Sequence, residues 1–69
     1  MKENSLQLQV ESALLQDHLT DDGDIEVLDT NGVVTLRGVV HSREARDRAE
    51  AIARDTSGVV TVINELDVI

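Results

Sequence analysis

The sequence predicts an α+β domain with the order α-β-β-α-β: a three-stranded mixed sheet with two helices packed on one face. Three observations lead there. Asn31-Gly32 lies between two runs of alternating apolar residues, the strongest short-range signature of a β-hairpin. A segment on each side of this hairpin carries apolar residues three and four apart, the stripe of a half-buried helix. The chain then closes on VVTVINELDVI, rich in β-branched residues. A chain of 69 residues holds one domain, here 1–69 with a core over about 6–68.

The first helix is expected over about residues 5–18, with Leu6, Val10, Ala13, Leu14 and Leu19 forming its stripe. Asn4 followed by Gln7 resembles a capping-box start. His18 falls in the expected last turn, where a cation favours the helix dipole. Asp21-Asp22-Gly23-Asp24 then breaks the helix. Its acidic residues are too few and wrongly flanked for an EF-hand, which needs ligands at several alternating positions and a helix on either side.

The hairpin follows. Asn-Gly suits a type I′ turn because both central residues need positive φ. This turn sets the register: Thr30 opposite Val33, Val27 opposite Leu36, Glu26 opposite Arg37. The register is self-consistent. It opposes unlike charges on one face and gathers Ile25, Val27, Val34, Leu36 and Val40 on the other, whereas a one-residue slip loses both. Gly38 interrupts the second strand and is expected to mark a bulge or a close helix approach.

Ser42 is the expected N-cap of a second helix over about residues 43–56, with Glu44 in its first turn. Ala45, Ala49, Ile52, Ala53 and Thr56 share one side, and such small residues let a helix sit close to a sheet. Gly58 suits the C′ position. In the last strand Val62, Leu66 and Val68 share a face with Asn64, which must therefore find hydrogen-bond partners. A helical crossover makes strands two and three parallel. The preferred spatial order is 1-2-3, the alternative placing strand three beside strand one. Both helices then cover one face. The other carries Leu28, Val33, Thr35, Arg37, Val39, Thr61 and Ile63, flanked by Glu26 and Glu65, and is the candidate interaction surface.

Composition narrows the function. There is no Cys, so no disulfide and no thiolate metal site, and the two histidines, His18 and His41, lie in different segments. Phe, Tyr and Trp are absent, which removes the stacking used on single-stranded nucleic acid and the usual interfacial membrane anchors. A net charge of −8 repels phosphate backbones and anionic lipid at long range. The first residues are too polar for a leader, and no apolar run reaches the ~18 residues of a membrane span, so the alternatives are a cytoplasmic chain or an excised domain.

The run from Ile25 to Val68 resembles the BON domain, the bacterial osmotically inducible and nodulation family. The most specific elements are Asn31-Gly32-Val33-Val34-Thr35-Leu36 with Gly38, the Gly58-Val59 step, and Val62-Ile63-Asn64-Glu65-Leu66. The resemblance covers nearly the whole chain, and that family's α/β fold agrees with the order read above. It implies a non-enzymatic binding module, set in a periplasmic or cell-envelope and osmotic-stress context. Some members bind phospholipid membranes and one group binds potassium.

No catalytic, cofactor or metal residues are assigned. Ser42 beside His41 lacks the strand-turn-helix elbow of a hydrolase nucleophile. Arg43, Arg46, Arg48 and Arg54 of the second helix are the candidate lipid contacts. Their i,i+4 spacing to carboxylates (Arg43–Asp47, Glu44–Arg48, Arg46–Glu50, Glu50–Arg54) equally predicts salt bridges on a solvated face. Asn31, Gly32, Gly38 and Gly58 are expected to be structural. Three readings remain: a protein or envelope partner on the open sheet face or an edge strand, phospholipid at the arginines, and a potassium- or calcium-responsive site near Asp21, Asp22 and Asp24. The first is preferred because it needs no charge the chain lacks. No nucleic-acid partner is expected, and the chain is expected to be a monomer or weak homo-oligomer.

Overall fold

The structure, a computed structural model, describes residues 5–69. The elements are α1 (Leu6–Leu15), β1 (Asp24–Thr30), β2 (Val33–Val40), α2 (Arg43–Asp55) and β3 (Thr61–Val68), in the expected α-β-β-α-β order. The sheet order is β1-β2-β3. Strands β1 and β2 are antiparallel with Val27 opposite Leu36 and Glu26 opposite Arg37, and β2 and β3 are parallel with Leu36 opposite Asn64. Both the preferred strand order and the hairpin register are as read from the sequence.

The turn explains the register. Asn31 has φ 53° and Gly32 φ 88°, the two positive values that a type I′ turn demands. The Asp29 carboxylate accepts a hydrogen bond from the Gly32 amide at 3.0 Å, bracing the turn from its own strand. Gly32 also has a tertiary role. Its carbonyl accepts from the amides of Val60 and Thr61 at 2.8 and 3.3 Å, tying the hairpin tip to the start of β3. A Cβ there would come within 2.8 Å of Val60 Cγ2.

The core lies between the helices and one sheet face. Val27, Val34, Leu36, Val40 and Leu66 of the sheet are buried against Val10 and Leu14 of α1 and Ala45, Ala49 and Ala53 of α2. Ile25, Ile52 and Val62 border this cluster. The alanine stripe is the one read from the sequence, and α2 is capped as expected, the Ser42 hydroxyl accepting from the Ala45 amide at 3.0 Å. Asn64 finds its partners: its amide group donates to the Arg46 carbonyl at 3.1 Å and to Glu50 Oε1 at 3.2 Å, and its Oδ1 accepts from the Leu66 amide at 3.1 Å. One polar side chain thus pins α2 to β3.

Five expectations need correction. Helix α1 ends at Leu15, three residues short, so His18 lies in the turn beyond it. Thr20 causes the early stop: its buried hydroxyl donates to the Leu14 carbonyl, while Asp17 Oδ1 accepts from the Leu19 amide at 3.0 Å. At the other end Ser5 is the N-cap, accepting from the Leu8 amide at 3.2 Å; Asn4 lies outside the described residues. Gly38 marks neither a bulge nor a helix approach. The ladder runs one-to-one past it, it has φ 122°, and a Cβ would lie 2.0 Å from the Asp24 carbonyl oxygen, so β1's own backbone needs the space. Gly58, φ 98°, stands two residues beyond the C-cap Thr56 rather than at C′, with Leu6 of α1 packed where its Cβ would be. Val68 is exposed, opposite Val40 at the end of the sheet where α2 only begins.

Candidate binding surface

The register arranges the uncovered face in four rows, each crossing β1, β2 and β3 in turn. From the hairpin end they are Thr30–Val33–Thr61, Leu28–Thr35–Ile63, Glu26–Arg37–Glu65 and Asp24–Val39–Asp67. All seven residues expected on this surface are brought together there. Leu28 and Ile63 are 37% and 43% exposed, Thr61 and Arg37 are exposed, and Val33, Thr35 and Val39 on the central strand are half-buried by their neighbours. Asp24 and Asp67 complete the acidic end and were missed. The period-2 alternation carried one step further along β1 and β3 reaches them.

Charge separates the two ends. Arg37 stands between Glu26, opposite it as the hairpin register predicts, and Glu65, with which it makes its ion pair, Nε to Oε1 at 3.5 Å. With both side chains more than half exposed, this pair contributes little, about 0–1 kcal/mol. The hairpin end carries only apolar and hydroxyl side chains.

The second helix behaves differently from its sequence spacing. Of the four expected i,i+4 pairs only Glu50–Arg54 forms, at 2.8 Å. Arg48 reaches across to Asp17 in the turn after α1, Nε to Oδ2 at 2.7 Å, with the Asp17 side chain 12% exposed. The Leu19 amide and, after it, the Arg48 guanidinium hold the Asp17 carboxyl below the usual carboxylate range. Arg43 and Arg46 make no ion pair with another described residue. Two of the four candidate lipid contacts are therefore already engaged.

The Ser42 hydroxyl is occupied as a helix cap and His41 is an exposed junction residue. Among the described residues, no three His, Asp or Glu side chains are grouped to hold a metal ion, and no helix is long and apolar enough to cross a membrane. A cleft of about 200 Å³ lies between the end of α1 and the start of β1, lined by Glu11, Leu14, Thr20 and Ile25 among others, smaller than the ~300–1,000 Å³ usual for small-molecule sites. Leu8 and Leu15 are exposed on α1, on the side of the sheet away from the open face.

The α-β-β-α-β layer is roofed by two helices on one side and open on the other. The chain belongs to the BON-domain family, whose sequence profile matches residues 2–69. It is similar to osmotically-inducible protein Y of Escherichia coli (strain K12), at 40% identity over 58 residues that cover 84% of this chain and 29% of that protein. The chain spans less than a third of that relative's length.

Proposed function

We propose that this chain is a non-catalytic binding module that contacts a protein or other cell-envelope component in a stress-linked system, through the open face of its sheet. The observation that carries this reading is the uncovered Leu28–Thr35–Ile63 row with Val33 beside it. Exposed apolar side chains gathered on one face of a sheet often mark a partner surface. The likeness to an osmotically inducible protein supports the stress setting.

Phospholipid competes poorly. A net charge of −8 opposes approach to anionic headgroups, and Arg48 and Arg54 are taken up by Asp17 and Glu50. Site-specific photo-crosslinking in the cells of origin separates the readings. A crosslinker at position 63 is expected to trap a discrete partner, and one at the exposed Ala51 of α2 is not. Crosslinks from position 51 alone, or none from position 63, contradict the reading.

A further inference from the structure

The open face is graded along its strands, apolar toward the hairpin and acidic toward the other end, and this grading fits one kind of occupant. We propose that it docks a cationic amphipathic helix of another protein, laid along β2 with apolar side chains over Leu28, Thr35 and Ile63 and Lys or Arg side chains among Asp24, Glu26 and Asp67. The proposal rests on the reading of this face as the binding surface and adds the chemistry of what it binds.

Charge is the first argument. The face holds four carboxylates and one guanidinium, and the guanidinium is taken by Glu65. Asp24, Glu26 and Asp67 make no ion pair with another described residue. These three uncompensated carboxylates lie on a surface whose whole chain is at −8, so the field there favours a cation. Register supplies the second. Val39 stands between Asp24 and Asp67 in the last row. A Lys or Arg stem can lie on Val39 while its head reaches either carboxylate.

Dimensions select a helix. The outer strands of a three-stranded sheet are about 10 Å apart, close to the ~10–12 Å diameter of a helix with its side chains. An extended segment would instead pair along a sheet edge, where backbone donors and acceptors are free. From the Thr35 row to the Val39 row is four residues of strand, about 13 Å. With i over the Thr35 row, an apolar i+4 lies about 6 Å on, against the Arg37 stem, and i+7, i+8 and i+11 lie on the same face about 10–16 Å on, around the Val39 row. The basic residues belong at those three positions.

The test is titration of the isotopically labelled domain with a synthetic helical peptide carrying Leu at i and i+4 and Lys at i+7, i+8 and i+11. Amide shifts are expected along β2 and the facing residues of β1 and β3. Binding is expected to weaken with added salt. The D24N/D67N double variant, altered only at exposed strand positions, is expected to keep its circular dichroism and bind about 2- to 30-fold more weakly. The proposal is overturned by shifts confined to α2 or the loops, by no shift at all, or by undiminished binding in the double variant. Flotation with phosphatidylglycerol vesicles that depends on Arg43 and Arg46 also overturns it, in favour of a membrane. A peptide with Gln replacing Lys that shifts the open face equally removes the cationic partner but leaves the sheet-face reading standing. Crosslinks from position 51 instead of 63 remove that reading too.

Discussion

Replacing Gly38 with Ala should remove most of this domain's stability. An added Cβ would sit 2.0 Å from the Asp24 carbonyl oxygen and 3.1 Å from its carbon, and both are backbone atoms that no side-chain rotation can clear. The backbone at φ 122° is itself unfavourable for alanine, by about 1–3 kcal/mol. Forcing β1 away from β2 adds a packing loss of about 1–3 kcal/mol. The sum, about 2–6 kcal/mol, compares with a total of about 3–10 kcal/mol for a chain of 69 residues. Urea unfolding followed by far-ultraviolet circular dichroism is the assay, because the chain has no aromatic residue to fluoresce. With a slope near 1 kcal/mol/M at this size, the midpoint should fall by roughly 2 M or more. Gly23→Ala is the control. Its Cβ meets the Val39 and Thr20 carbonyl oxygens at 3.1 and 3.4 Å and Val40 Cγ1 at 3.3 Å, contacts relieved by shifts of a few tenths of an ångström and made without a positive φ, so its cost should fall well below that of Gly38→Ala. A Gly38→Ala protein as stable as wild type, or a Gly23→Ala protein equally damaged, refutes the reasoning.

Asn64→Ala removes two donated hydrogen bonds to α2 and one accepted from Leu66, and should cost about 1–2 kcal/mol in the same urea assay. Asp17, with its pKa lowered in the folded state, contributes stability above the ordinary value of 3.8, and that contribution is lost as pH falls through the lowered value. Asp17→Asn should therefore lower the thermal midpoint at pH 7 and narrow the gap between midpoints at pH 7 and pH 3; an unchanged gap contradicts this. Leu28→Lys changes a partly exposed position on the open face and should shift stability by no more than about 0.5–1 kcal/mol, while abolishing the photo-crosslink from position 63.

The parts legible in the sequence are those fixed by neighbours a few residues apart. Asn31-Gly32 specifies its turn through two backbone angles, and the alternation around it then leaves one register that buries Val27, Val34 and Leu36 together. Ser42 and the Ala45–Ala49–Ala53 stripe define α2 in the same local way. What was not legible depends on groups distant in sequence. The end of α1 is set by Thr20, six residues beyond the carbonyl it caps. Arg48 has an ideal local partner in Glu44 yet pairs with Asp17, 31 residues away, because the turn after α1 presents a carboxylate already fixed by the Leu19 amide. Arg37 has acidic neighbours on both flanking strands, and only the β2–β3 pairing brings in the Glu65 it selects. The open face was legible in its apolar half. Its acidic end emerges once β1 is known to begin at Asp24, which places Val39 between Asp24 and the Asp67 that alternation along β3 already reaches.

The most direct test of the sheet face as the binding surface uses its own methyl groups. The domain, labelled at Ile, Leu and Val methyls, is added to envelope extract from its cells of origin. The account predicts broadening or shifts of the Leu28, Val33 and Ile63 methyls, while Ile52, beside the core under α2, stays unchanged. Perturbation centred on the methyls of α1 or α2, with Leu28 and Ile63 untouched, contradicts it.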